Sequence, residues 1–261
     1  MSQVLNKRLS HPISQWLHHG AGLIGLAVLF LVWYLIGYTF PEGIWEQFKL
    51  IPALQSLWSL LLHDSTLPHH IWLSLQRVSI GLLIALIIGT PIGLVIGSSS
   101  FFERLSTPTF QLLRMISPLS WMPIAVMVFG VGNAPIYFLL AFAGVWPIIL
   151  NTAAGVKQVD KRWLKLAESL SATRAEVLIK IVCPSVVLHL LTGLRLAIGI
   201  VWIVLVPAEM LGVTAGLGYF ILDARDRLAY SDLMAIILLI GMIGYILDRI
   251  VVLIQYRLVR L

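Results

Sequence analysis

Charge is scarce in this sequence. Only 11% of its 261 residues are Asp, Glu, Lys or Arg, while 59% are hydrophobic; a soluble domain carries roughly 25% charged residues. With a mean hydropathy of +0.94, a water-soluble fold would have too little to place on its surface, so lipid is the solvent for most of the chain. Cysteine is nearly absent. Cys183 stands alone, which excludes an intramolecular disulfide and any cysteine-based metal framework. No GxxxxGK[ST] phosphate loop occurs, so the chain shows no nucleotide site of that kind. No nucleophile–base pair and no metal-ligand cluster is legible. His69 and His70 are adjacent, and neighbours do not share a helix face, so they make a poor metal pair and an interfacial location suffices for them. The sequence therefore points away from an enzyme and away from a bound metal.

Acids are fewer than bases, 12 against 18, for a net charge of +6. In a soluble protein that excess would suggest nucleic acid. In a membrane chain the positive-inside rule explains it, and no nucleic-acid partner is expected.

A spanning helix needs roughly 20 apolar residues, and the chain holds six candidates: Ala21–Tyr38, Ile71–Gly97, Thr109–Val128, Ile136–Val156, Val186–Leu211 and Leu233–Gln255. The first follows Lys7 and Arg8 as a signal peptide's apolar core would. It is longer than such a core and no small-x-small cleavage site follows, so it reads as an uncleaved span. Ile51–His63 carries Leu54, Leu57, Leu60 and Leu61 at helical spacing and is too short to cross; it reads as a helix at the membrane surface. Lys7, Arg8, Arg104, Lys157, Lys161, Arg162, Lys165, Arg174, Lys180, Arg257 and Arg260 fall on one side. Lys49, Arg225 and Arg227 fall on the other. The bias predicts both termini in the cytoplasm. Gly89, Gly93 and Gly97 form a double small-xxx-small pattern for close helix approach. Pro91, Pro118, Pro123, Pro147 and Pro207 interrupt spans, which is tolerated where helices are buried or line a cavity. The expected fold is all-α, with six transmembrane helices.

Between the fourth and fifth spans lies a polar but patterned loop, 161–184. Trp163, Leu166, Ala167 and Leu170 share one helix face. Thr173 with Glu176 three residues on is a capping-box signature, and a second short helix is expected to run through Val177, Lys180 and Ile181 until Pro184. Two short helices joined by a turn suit a plug for a partner protein.

The run LysLeuAlaGluSerLeuSerAlaThr, 165–173, with Ile181 and Pro184 downstream, resembles the coupling-loop signature of ABC importer permeases: Glu-Ala-Ala, Gly after three residues, Ile-x-Leu-Pro after nine more. Ala167, Ile181 and Pro184 match. Lys165, Leu166, Ser171 and Cys183 depart from it. If the turn needs positive φ, Ser171 adopts it less readily than Gly. SerLeuGlnArgValSerIleGly at 74–81, PheGlnLeuLeuArgMetIleSerProLeuSerTrpMetProIle at 110–124, PheGlyValGlyAsn at 129–133, TrpProIleIleLeuAsnThr at 146–152, ThrGlyLeuArgLeuAlaIleGly at 192–199, AlaGluMetLeuGly at 208–212 and GlyLeuGlyTyrPhe at 216–220 are similar, in order and spacing, to the nitrate/sulfonate/taurine/bicarbonate branch of that family.

The resemblance implies a type I ABC importer permease of the bacterial inner membrane. Residues 1–70 form an N-terminal segment with the first span, and 71–261 the permease core. A second permease copy, two ATP-binding subunits (identical or not) and a periplasmic or lipid-anchored substrate-binding protein are implied partners. This chain would bind no cofactor, with ATP and Mg held by the ATPase, and would work by alternating access on a small anion. TrpProIle at 146–148 leans toward nitrate-like members and PheGlyValGlyAsn toward sulfonate- and taurine-like ones. The ATPase-coupling residues implied are Trp163, Lys165, Ala167, Leu170, Ser171, Ala172, Thr173, Ala175 and Glu176. Two rivals from other classes are a secondary transporter or channel without an ATPase, which predicts an internal repeat and a complete ion site, and a membrane enzyme, which predicts paired catalytic groups. Neither feature is visible.

Charges and tryptophans within spans are the candidates for a translocation pathway: Arg77, Arg114, Arg195, Glu209, Trp121, Trp146 and Trp202. Arg77 and Arg114 lie near span ends, where snorkelling to the headgroups is the plainer reading. Arg195 and Glu209 are fourteen residues apart, about 21 Å along a helix, so each needs a partner elsewhere. Glu209 is the one acid read as clearly at membrane depth. The tryptophans either line a pathway or fill the core. AspAlaArgAspArg at 223–227 either receives a binding protein or is simply solvated.

Overall fold

The computed structural model describes residues 12–39 and 43–259, and among them there are helices and no β-strand. The helices are α1 (Pro12–Thr39), α2 (Leu50–His63), α3 (Leu67–Ser98), α4 (Ser100–Met115), α5 (Met122–Phe129), α6 (Asn133–Lys157), α7 (Lys161–Ser169), α8 (Arg174–Val177), α9 (Cys183–Gly212), α10 (Leu217–Asp226) and α11 (Tyr230–Val259). Four segments are long and apolar enough to cross a membrane: α3, α6, the rod Arg174–Gly212 that contains α9, and Tyr230–Arg257 in α11. They contain the second, fourth, fifth and sixth expected spans. The first expected span, Ala21–Tyr38, falls in α1, part of whose side chains lie outside the described residues. The expected surface helix is α2, which packs on α11 with Ala53 and Leu57 buried and the Ser56 hydroxyl donating to Asp232.

The third expected span corresponds to a bent pair, Ser100–Met115 with Pro118–Phe129, long and apolar enough together for a broken span or a re-entrant loop. Thr109–Val128 is not one helix: α4 ends at Met115, and the chain bends by 86° before Pro118–Phe129. Pro118 is the cause. A proline ring disfavours helical backbone at the residue before it, and Ser117 has ψ 129°. Ile116 is also extended, with ψ 126°. Pro123 then lies in the first turn of α5, where its missing N–H costs little.

At the centre is α6, whose apolar window is 72% buried within the chain. Its contact with α3 is built from two matched rows at four-residue spacing. A Cβ at Gly81 would lie 2.6 Å from Leu140 Cβ, one at Gly89 2.9 Å from Ile148 Cγ2, one at Gly93 2.6 Å from Thr152 Cβ, and one at Gly97 2.6 Å from Val156 Cβ. Ala85 faces Gly144 within the same series. Each partner pair is offset by the same interval along the chain, so the two helices run parallel. On its other side α6 meets α9 antiparallel: a Cβ at Gly155 would lie 2.8 Å from His189 Cβ, and one at Gly193 2.9 Å from the Pro147 carbonyl. Small residues thus let both neighbours approach the backbone of α6. Dispersion then replaces the hydrophobic drive that lipid cannot supply.

This packing carries a test. Gly93→Leu places a branched side chain against Thr152 and the Ile149 carbonyl, and overpacking of this kind costs about 1–3 kcal/mol or more. The detergent-solubilised variant should unfold well below the parent in a thermal scan. Gly241→Ala, at a position with nothing within 4 Å, should leave the midpoint unchanged or slightly raised.

Candidate functional site

The loop after α6 folds from local chemistry. Asp160 caps α7 by accepting from the Arg162 N–H at 2.8 Å. The helix ends in a two-bond stop: the Ala172 N–H donates to the Ala167 carbonyl and the Ser171 N–H to the Glu168 carbonyl, both at 3.0 Å. That pattern requires a left-handed residue at its hinge, and Ser171 supplies it with φ 54°. The strained departure from Gly anticipated at this position is therefore real, and such a conformation costs of order 1 kcal/mol. Two residues later Thr173 opens α8. Its N–H donates to Glu176 Oε2 at 2.9 Å, and its hydroxyl accepts from the Glu176 N–H at 3.3 Å. The expected capping box is present in full.

The expected end of the second helix is wrong. The chain does not stop at Pro184. Leu178–Val182 forms a π-turn that leads directly into α9, with Pro184 in the first turn of α9. A wider turn there accommodates a residue with no N–H to donate. Arg174–Gly212 is consequently one helical rod of 39 residues. On α7 and at its C-cap, Ala167 is buried, whereas Trp163, Leu166 and Leu170 are exposed, Leu170 by 72%. Lys165, Thr173, Ala175 and Glu176 are exposed and Ala172 is half-buried. The apolar face read from the sequence thus has one residue on the protein body and three facing outward.

At the other end of the rod lies a buried clasp. Arg77 of α3 donates from NH1 to Glu209 Oε1 of α9 at 2.6 Å, with side-chain exposures of 4% and 0%. The Glu209 carboxylate also accepts from the Ser74 hydroxyl at 2.8 Å and from the Gly218 N–H at 2.8 Å. Ser74 Oγ accepts from the Leu217 N–H, and His70 Nδ1 accepts from the Gly216 N–H. Arg77 further donates to the Ala215 carbonyl and, through Nε, to Asn133 Oδ1 at the start of α6. Free N–H groups at a helix N-terminus attract an anion, and here the anion is Glu209 below α10. Gly216, at φ +127°, admits no side chain: a Cβ would lie 2.5 Å from both Arg77 NH1 and Glu209 Cδ. Four helices, α3, α6, α9 and α10, are tied at one point. Snorkelling does not describe Arg77, which is turned inward. His70 also stacks on Phe220 with ring centroids 5.0 Å apart, a role adjacent histidines gave no sign of.

The other pathway candidates are dispersed. Arg195 on α9 forms a two-pronged pair with Asp248 on α11, Nε to Oδ1 at 2.7 Å and NH2 to Oδ2 at 3.0 Å. Asp248 was missed in the sequence, although an acid inside the apolar Leu233–Gln255 run is the signal that finds it. Trp202 is buried between α9 and α11 and donates to the Ile240 carbonyl at 3.2 Å. Trp121 lies 5.5 Å from Phe142, and Trp146 stands edge-on to Phe110 and Phe142, both at 5.4 Å. The indole nitrogens of Trp121 and Trp146 are buried without an acceptor. Arg114 is exposed at the end of α4. In the 223–227 stretch, Arg227 pairs with Asp223 and Arg225 with Asp226. Among the described residues no group of three His, Cys, Asp or Glu could hold a metal.

A bundle of apolar helices long enough to span a membrane, packed through glycines around a central helix, defines a multi-span membrane protein. The family of binding-protein-dependent transport system inner membrane components matches residues 89–260, and the chain belongs to it. Over 233 residues it is 34% identical to the nitrate import permease protein NrtB of Leptolyngbya laminosa, covering 83% of this chain and 84% of that one. It is 38% identical over 189 residues to the bicarbonate transport system permease protein CmpB of Synechococcus elongatus, covering 72% and 68%. It is 32% identical over 264 residues to the taurine transport system permease protein TauC of Escherichia coli, covering 95% and 94%. Its fold matches a chain of the MetNI methionine ABC transporter in inward-facing conformations, with a TM-score of 0.62 at 14% identity over 75% of this chain and 97% of that one.

The clasp predicts a coupled stability effect. Removing one member of a buried pair leaves the other uncompensated and costs about 3–5 kcal/mol. Arg77→Met alone should lower the thermal midpoint of the purified protein sharply. Arg77→Met with Glu209→Gln should cost clearly less than the two single changes added together.

Proposed function

We propose that this chain is one half of the translocation pathway of an ATP-driven importer for a small anion of the nitrate, bicarbonate or sulfonate/taurine class, coupled to a separate ATPase through its cytoplasmic turn. The relatives supply the substrate class: NrtB, CmpB and TauC are named for nitrate, bicarbonate and taurine. The observation that carries the coupling role is the turn itself. Leu170 projects from a hinge held by a helix stop on one side and a capping box on the other. An outward apolar face this firmly held suits a socket on another protein.

Helical continuity links the turn to the spans. The turn opens directly into the rod Arg174–Gly212, roughly 58 Å long at 1.5 Å per residue. Displacement of the turn by a closing ATPase pair moves the rod, and the rod carries Glu209 of the clasp at its far end. Trp163, Lys165, Ala167, Leu170, Ser171, Ala172, Thr173, Ala175 and Glu176 are the coupling residues in this reading. ATP and Mg belong to the partner ATPase. Two copies of this chain face one another, because one chain supplies one wall of a central pathway. Both termini lie in the cytoplasm with the coupling turn, and a substrate-binding protein delivers the anion from the opposite side. The chain works by alternating access and contributes no chemistry.

Vesicles containing the assembled importer should accumulate nitrate, bicarbonate or taurine; uptake confined to a cation or a neutral sugar refutes the substrate class. A native mass with a single membrane chain per complex refutes the paired pathway.

The turn has its own test. A large apolar side chain such as Leu170 buried in a socket gains about 1.5–3 kcal/mol, and an unpaired charge placed in that socket costs more than that gain. Ala172→Asp should therefore abolish most substrate-stimulated ATP hydrolysis and uptake at matched permease levels. Arg174→Gln, an exposed change, should cost less. Ser171→Gly should preserve coupling, since glycine takes φ 54° without strain, whereas Ser171→Val should impair it. Normal uptake and stimulation in Ala172→Asp would remove the turn from the mechanism.

A further inference from the structure

Arginines on the spanning and bent helices differ in their partners. Arg77 is neutralised by Glu209 and Arg195 by Asp248. Arg249 donates to the Tyr245 hydroxyl and lies over that ring, 4.9 Å from its centroid. Arg114 is different. It lies in the last turn of α4, and among the described residues it forms no ion pair and no side-chain hydrogen bond.

Arg114 also stands where two clefts meet. One, of about 370 Å³, is lined by Ser106, Gln111 and Lys157 among others; the second, of about 320 Å³, by Pro118, Asn151 and Ile200 among others. Arg114, Trp146 and Leu150 line both. Glu103 in the first cleft is already paired with Lys157, so Arg114 sets the net charge at the junction. The second cleft contains no acidic side chain, and most of its lining is apolar. Apolar walls focus the field of a single charge and raise the local concentration of counter-ions.

We propose that Arg114 is the anion-selecting residue of this half-pathway, drawing a small oxyanion or sulfonate to the junction of the two clefts. The proposal rests on the anion import argued above and deepens it by reducing three arginine candidates to one. The guanidinium fork presents parallel N–H donors that match two oxygens of one planar or tetrahedral anion, and nitrate, bicarbonate and sulfonate each offer such a pair. Position at a helix C-terminus favours a cation as well.

A charge-selective labelling experiment separates this role from a structural one. In the complete importer reconstituted in vesicles, Cys183→Ser removes the native thiol, and Leu150→Cys places a reporter beside Arg114. Leu150 is 43% exposed and therefore open to reagent. An anionic methanethiosulfonate (sulfonatoethyl) should react faster than its cationic trimethylammonium counterpart, by about tenfold relative to a free thiol. Arg114→Gln should bring that preference close to one, and Arg114→Lys should keep it. Nitrate, bicarbonate or taurine, whichever the vesicles transport, should slow labelling in the parent and not in Arg114→Gln. A preference indifferent to residue 114, in vesicles that do transport one of these anions, overturns the inference and leaves the anion reading standing. If none of the three anions is transported, the anion reading fails and this inference falls with it.

Discussion

Two rows of residues at four-residue spacing, Gly81, Ala85, Gly89, Gly93 and Gly97 on α3 against Leu140, Gly144, Ile148, Thr152 and Val156 on α6, hold the helices closer than side chains would allow. Lipid gives helices no hydrophobic reason to associate, so close backbone approach supplies the attraction instead. Because the rows advance together, α3 and α6 run parallel. A parallel pair needs a return crossing between them, and the bent α4–α5 pair occupies that interval. The break at Ser117–Pro118 is thus part of the same plan. With α9 seated on the opposite side over Gly155 and Gly193, α6 becomes the centre of the packing.

The rod Arg174–Gly212 joins two differently built ends. At one, the turn at Ser171 is stabilised by short-range backbone bonds and a capping box, and its apolar side chains face outward. At the other, Glu209 is fully enclosed, with Arg77, Ser74 and the Gly218 N–H of α10 meeting its carboxylate oxygens. Buried pairs of this kind add little net stability against an apolar alternative, but they fix geometry, because any partial separation leaves a charge uncompensated. The rod thus has apolar side chains exposed at one end and a closed polar network with three other helices at the other.

The charges also show how the fold sorts residues of one type. Three arginines look alike as intramembrane cations. Arg77 meets an acid within a closed network and Arg195 meets Asp248 on a neighbouring helix. Arg114 meets neither and faces the clefts. Sequence separation alone carries none of this, since the partners lie 132 and 53 residues away.

What the sequence determined by itself is what local chemistry controls. The apolar lengths of α3, α6, α9 and α11 were legible because lipid demands them. The Thr173–Glu176 capping box was legible because it spans three residues, and the positive-φ demand at Ser171 because the departure from Gly could be read there. The four-residue glycine spacing announced a close helix contact without saying which helix would fill it. Tertiary structure decided the rest. The 86° bend turned an expected third span into two pieces, because Pro118 acts on the backbone before it more strongly than apolar composition acts on the segment. A π-turn carried the helix through Pro184, because a wider turn removes the demand for the missing N–H. The sequence could state that Arg195 and Glu209 needed partners, but only packing could supply them, because a charge on an apolar helix is matched by whatever group the fold brings within about 3 Å, at any distance along the chain.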